Sequence, residues 1–205
     1  MVSGPVLQVL KPGLLSTLQD LGRTGYQRLG VSPCGAMDAF ALRLANRLVG
    51  NPEGSVGVEI TLAEVELEVI RDCEVALAGA DLAARMDSKP LACWENCIAK
   101  AGQRLIFPQR KRGARAYLSV AGGFAAERVL GSGSTDLRNG RGGLQGRQLR
   151  RGDELSVQKA GGADRRSRWA VRPEALAEYR NPFLLRVLEG SQSQVFSSEA
   201  IRQFL

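Results

Sequence analysis

Apolar residues along much of this chain recur at period two. From residue 64 to 69 the alternation is strict, with Val65, Leu67 and Val69 on one side and three glutamates on the other. This is the signature of a half-buried antiparallel strand with one wet face. Residues 73–77, 104–107 and 114–120 repeat the theme, separated by Arg71-Asp72, Ala101-Gly102 and the basic turn Lys111-Arg112-Gly113. Short strands punctuated by turn residues predict a barrel or sandwich. Residues 36–49 follow a different period. Phe40, Leu44 and Leu48 stand at fourfold spacing, flanked by Met37, Ala41, Ala45 and Val49, with Arg43 and Arg47 on another face. That spacing predicts an amphipathic helix, with Gly50 as a left-handed cap just past its end and Pro52 forbidding continuation.

The pattern changes after about Val157. Residues 159–168 are Gly, Ala, Asp and Arg without apolar period, which predicts a basic linker over 158–182 after a β-rich domain at 1–157. Residues 183–188 read as a fresh strand and 197–205 as a helix capped by Ser197 or Ser198. One strand and one helix cannot bury a core, so 183–205 are expected to open a second, incomplete β domain.

The 205 residues, 44% of them hydrophobic, suffice for one good core. No run approaches the ~18 consecutive apolar residues of a membrane span, and residues 1–12 lack the layout of a signal peptide. The expectation is a cytoplasmic protein without membrane contact. Cysteines at 34, 73, 93 and 97 occur without any histidine, so free thiols are expected and no metal site. A net charge of +7, with arginines thickening between 138 and 168, would suit a nucleic-acid binder. Aromatics are only 5%, however, and are not interleaved with the basic residues, so stacking platforms are missing. A solvated arginine-rich surface is expected, with no nucleic acid as partner.

Familiar catalytic signatures are absent from the sequence: it contains no G-x-x-x-x-G-K-[ST] loop and no G-x-S-x-G elbow, and without histidine no Ser-His or Cys-His pair can form within this chain. Acid-base work falls to carboxylates, lysine, tyrosine or thiols. Two Gly-rich stretches stand out. In residues 18–54, Asp20 and Arg23 are three apart and four glycines precede the helix. They form either an exposed loop leading into a helix N-terminus whose N–H groups and dipole favour an anion, or a hairpin with Asp20 and Arg23 as a surface ion pair. In residues 121–155, Gly131-Ser132-Gly133-Ser134-Thr135 forms either an anion-binding nest or a flexible surface loop.

In order along the chain, QDLGRTGYQRLGVSPCGAMD, GVEITL, ALAGADLAARMD, ARAYLSVAGG and LGSGSTDLRNGRGGLQGRQLRRGD resemble the 5-oxoprolinase C-subunit family, also called allophanate hydrolase subunit 2 or biotin-dependent carboxyltransferase proteins. The resemblance implies a mainly β protein with a cyclophilin-like β-barrel domain and one principal helix. It also implies work beside subunits B and A of an ATP-dependent 5-oxoprolinase, opening the small-molecule substrate 5-oxo-L-proline to L-glutamate. A related domain in urea carboxylase transfers carboxylate from biotin to urea, and some relatives are regarded as regulatory partners of a kinase-inhibitor protein. Biotin would arrive on a separate carrier, since no Met-Lys attachment site occurs here. ATP would be bound mainly by a partner subunit, since no phosphate loop of known type occurs.

By family-matching position, the candidate catalytic residues are Asp20, Arg23, Asp38, Glu59, Asp136 and Arg138, with Ser132, Ser134 and Thr135 as anion ligands. Asp38 also suits a helix N-terminal carboxylate, stabilising the dipole by ~0.3–1 kcal/mol. Glu59, between Val58 and Ile60, also suits a strand residue on a wet face. Asp20, Arg23 and the helix start near Asp38 are expected to converge with residues 132–138 on one concave, largely electropositive surface.

Overall fold

The computed structural model describes residues 3–158, 168–172, 176 and 185–205. The chain divides into two compact units, Met1–Val171 and Arg172–Leu205. The first is mainly β and is built from two antiparallel sheets. One sheet has the order β11 (Glu154–Val157), β1 (Ser3–Pro12), β4 (Val65–Val69), β9 (Arg104–Phe107), β6 (Arg85–Met86) and β7 (Lys89–Pro90). The other has the order β2 (Leu15–Gln19), β3 (Gly57–Thr61), β10 (Arg112–Val120), β5 (Cys73–Asp81) and β8 (Glu95–Ala99).

The facing sides of the two sheets share one apolar core. Leu7, Val9, Leu67, Leu105 and Phe107 from the first meet Val58, Ile60, Val75, Leu77 and Leu118 from the second. Among the described residues the ladders do not close into the barrel that the family resemblance implies. Each sheet keeps two edges, and burial of the inner faces, rather than strand pairing all round, holds the layers together.

Alternation in β4 is reproduced: Val65, Leu67 and Val69 are buried while Glu66 and Glu68 lie part-exposed. By contrast β3 is buried at every position, and β5 from Cys73 to Ala78. The reason is α1 (Ala39–Leu48), which covers the outer face of the second sheet through Ala41, Leu42 and Ala45 against Ala78 and Tyr117. A sheet covered on both faces needs no polar alternation. The helix stripe differs from the fourfold one expected. Leu42 is fully buried and Phe40 is 51% exposed, because two strands crossing below select the Ala41, Leu42, Ala45 and Leu48 positions. Gly50, at φ 71, donates its N–H to the Arg47 carbonyl, as expected of the cap. The basic 111–113 segment is not a simple turn. It runs into β10 through a register shift between Arg112 and Ala116.

Residues 159–167, 173–175 and 177–182 of the expected linker lie outside the described residues. Within that span, however, residues 168–171 line the edge of β8. Trp169 accepts from the Asn96 N–H (3.1 Å), Val171 donates to the Trp94 carbonyl (2.9 Å), and Arg168 pairs with Glu95. Asn96 in turn bonds the buried Glu74 carboxylate, so this segment is tied to the core. In the second unit, Ser197 caps α2 (Ser198–Phe204) by accepting from the Ala200 N–H at 3.1 Å. The strand expected at 183–188 is not formed over 185–188; residues 183 and 184 lie outside the described ones. No described helix is long and apolar enough to cross a membrane.

Candidate functional site

The two Gly-rich stretches meet. Asp20, at the end of β2, is 4% exposed, and its carboxylate accepts four hydrogen bonds. Oδ1 takes the Gly22 N–H (2.8 Å), Ser132 Oγ (2.6 Å) and Ser134 Oγ (2.6 Å), and Oδ2 takes the Gly133 N–H (2.6 Å). Of the two readings of Gly131 to Thr135, a nest or a flexible surface loop, the structure forms the nest, and the anion it holds is the protein's own Asp20. Thr135 Oγ1 is likewise spent on the Leu18 carbonyl at 2.9 Å. These hydroxyls and amides leave no cradle for the phosphates of ATP, so the residues expected as anion ligands do not fit that group.

Arg23 does not pair with Asp20. It is 2% exposed, and its guanidinium donates to the Val129 carbonyl (3.2 Å) and the Ser134 carbonyl. Both residues of the supposed surface pair are thus buried clamps that reach across more than a hundred positions to one loop. The reason is local: 20–36 is a closed excursion, with the Ala36 N–H on the Asp20 carbonyl (2.9 Å) and the Arg23 N–H on the Pro33 carbonyl (2.8 Å). It turns both side chains inward.

Between the loops lies a small cavity of about 190 Å³, lined in part by Arg23, Asp136, Asn139 and Arg141. Asn139 donates its side-chain N–H to Asp136 Oδ2 (2.8 Å) and its backbone N–H to Oδ1 (3.2 Å). The Asn139 side chain foremost, then its backbone N–H and the nearby Arg23 charge, hold the Asp136 carboxyl below the usual carboxylate range. Asp136 is therefore an anion at neutral pH and serves as an acceptor, not an acid.

Asp38 and Glu59 belong to a different cluster. Asp38 caps α1 by accepting from the Ala41 N–H (2.9 Å). Glu59 is 9% exposed, on β3 directly opposite Tyr117 of β10, so the wet face expected for it is covered. Tyr117 Oη donates to Glu59 Oε2 (2.7 Å) and accepts from the Asp38 N–H (2.7 Å), while the Met37 N–H adds a third bond at 2.9 Å. Arg115 Nε stands 3.6 Å from Glu59 Oε1. Burial, and then the Glu59 carboxylate, raise the Tyr117 phenol far above its ordinary range, so it stays protonated as donor. This cluster seats the start of α1 on the sheet. Replacing Tyr117 by Phe will remove one donor and one acceptor and cost roughly 1–3 kcal/mol, read from urea unfolding. A change below about 0.5 kcal/mol would mean that water replaces the hydroxyl.

Of the candidates, then, Asp20, Arg23, Ser132, Ser134, Thr135 and Asp136 come together, Asp38 and Glu59 do not join the cavity, and Arg138 is exposed outside its lining. Sequence reasoning missed Asn139, Arg141 and Tyr117. The spacing of Asn139 three residues after Asp136 is an available signal of a local turn. The cross-strand match of Tyr117 and Glu59 had none. Among the described residues no group of His, Cys, Asp and Glu suits a metal ion, and the four cysteines are free thiols.

Comparison with known proteins places these features in a family. Residues 29–205 match the family described as carboxyltransferase domain, subdomain A and B. The chain is 44% identical over 155 residues to the 5-oxoprolinase C-subunit of Escherichia coli, covering 76% of this chain and 50% of that one. It is 36% identical over 195 residues to the Haemophilus influenzae protein of the same name, covering 95% and 61%. The chain thus spans half to three fifths of the length of these relatives. Among solved structures, that of TTHA0988 is 34% identical with a TM-score of 0.86, covering 98% of this chain and 39% of that one. That of the K. lactis urea amidolyase is 38% identical with a TM-score of 0.74, covering 77% and 10%. The chain belongs to the carboxyltransferase domain, subdomain A and B family.

Proposed function

We propose that this chain is part of a 5-oxoprolinase C-subunit, which with subunits A and B opens 5-oxo-L-proline to L-glutamate at the expense of ATP. The observation that carries the reading is the extent of likeness. The chain matches 50% and 61% of the length of the two 5-oxoprolinase C-subunits, at 44% and 36% identity, but only 10% of the K. lactis urea amidolyase. On this reading residues 183–205 open a further β domain, and the nucleotide is held by the partner subunits, since the serine-rich nest is filled by Asp20. Ring opening adds water across the lactam C–N bond and leaves a carboxylate and an ammonium. The polar groups most useful to that chemistry are cations that bind the substrate's carboxylate and donors aimed at charge developing on the lactam oxygen.

The test is reconstitution of the full-length protein with its subunits A and B. Glutamate is expected to form from 5-oxo-L-proline only when all three proteins and ATP are present. Transfer of labelled carboxylate from carboxybiotin to urea, without glutamate, would replace this reading by the urea carboxylase one.

A further inference from the structure

A second cleft, of about 670 Å³, shares no lining residue with the cavity between the Gly-rich loops. It is formed by the C-terminal end of β5, by β6, by residues 90–94 and by the 108–112 connection into β10. Its volume falls in the range of small-molecule sites. Its charge is lopsided: Arg85, Lys111 and Arg112 line it against the single carboxylate of Asp81. That carboxylate accepts the Ala83 N–H at 2.8 Å. Apolar groups complete the wall, notably Trp94 and Leu91.

Three features of the backbone are devoted to this arrangement. The register of β10 against β5 shifts between Arg112 and Ala116, and such irregularities re-aim side chains next to sites. Ala83 and Trp94 stand at φ 55 and 69, left-handed conformations that a β-carbon disfavours and that cluster at ligand sites. Cys93 completes the lining as a neutral thiol: burial foremost, with Asp81 adding to it and Arg112 opposing, pushes it up to about 12. It offers an apolar surface and no competing anion.

We propose that this cleft binds a small organic carboxylate with a compact, weakly polar body, its carboxylate among Arg85, Lys111 and Arg112 and its body against Trp94 and Leu91. Arg85, Lys111 and Arg112 are exposed cations on one concave surface, and an anion placed among them gains attraction from all three. A neutral ligand of the same shape gains only the apolar contact. The inference rests on the function proposed above in naming the ligand: 5-oxo-L-proline has this chemistry, a carboxylate on a small lactam ring.

Calorimetric titration of this chain with 5-oxo-L-proline, hexanoate and the neutral lactam 2-pyrrolidinone tests it. Both carboxylates are expected to bind, more weakly as salt is raised, and the neutral lactam at least tenfold more weakly. Joint replacement Lys111→Ala and Arg112→Ala is expected to weaken carboxylate binding at least tenfold, with the circular dichroism spectrum unchanged. Arg151→Ala, an exposed cation outside the cleft lining, will leave binding as it was. Binding of neither carboxylate, or equal binding by the double variant, overturns the proposal. The two readings fail separately. If hexanoate binds with this charge dependence, 5-oxo-L-proline does not, and the full-length assembly makes no glutamate, the enzymatic reading falls and the carboxylate cleft stands. If the assembly makes glutamate and the double variant leaves the KM for 5-oxo-L-proline unchanged, the cleft falls and the enzymatic reading stands.

Discussion

Replacing Asp20 by alanine will cost roughly 3–5 kcal/mol of folding stability, because a buried polar network broken on one side loses its bonds and strands the remaining partners. Four donors converge on this one carboxylate, two backbone N–H groups and two serine hydroxyls. Ser132 and Ser134 are 2% and 0% exposed, so water is poorly placed to replace the carboxylate. Asp20→Asn keeps the shape but presents an NH2 to groups that are themselves donors, and will recover only part of the loss. Urea unfolding gives the magnitude. Amide hydrogen exchange gives the location, since protection will fall first at residues 129–146 and 20–36. An alanine variant within about 1 kcal/mol of the parent, with the 129–146 amides still protected, would show that the network is dispensable. The same reasoning separates stability from chemistry. Activity lost in Asp20 variants of the full-length protein will follow the folded fraction, and substrate KM will not change.

Gly146→Ala will be damaging for a different reason. An added Cβ would lie 2.0 Å from the Gly140 carbonyl carbon and 2.3 Å from the Arg141 nitrogen, and the residue is held at φ 65. Those neighbours are backbone and cannot rotate away. The expected loss is roughly 3 kcal/mol or more, combining left-handed strain with overpacking. Gly143→Ala meets Thr135 Oγ1 at 1.9 Å at φ 61, and moving that hydroxyl breaks its bond to Leu18. Gly140 supplies the comparison. It also has φ 61, but no atom lies within 4 Å of its Cβ position, so Gly140→Ala will cost only about 1–2 kcal/mol. Thermal unfolding of the three variants should rank them in this way. Equal losses at 140 and 146 would mean that conformation alone, and not the close packing of the two turns, governs the loop.

The contrast between these glycines also marks what a sequence can convey. The strand β4 is legible because one of its faces is wet, and α1 has its end written in Gly50 and Pro52, whereas its start lies at Ala39, with Asp38 as cap, and not at residue 36. Strand β3 is not legible, because α1 covers the second sheet and a doubly buried strand carries no alternation. The helix's own buried stripe departs from its fourfold pattern for the same reason: which of several apolar rows faces inward depends on the strands beneath it, not on the helix.

The family resemblance put Asp20, Arg23, Ser132, Ser134, Thr135 and Asp136 on a short list, and composition correctly made the cysteines free thiols. Residue types and spacings determined that much, because they encode local propensity and chemistry. Only the tertiary structure decided that Asp20 is the anion in the Ser132–Ser134 nest, that Glu59 faces Tyr117, and that Lys111 and Arg112 share a cleft with Arg85. Each is a pairing across tens to more than a hundred positions. Such a partner is chosen by strand register and loop closure, which depend on how the whole core packs and leave no trace in the neighbouring residues.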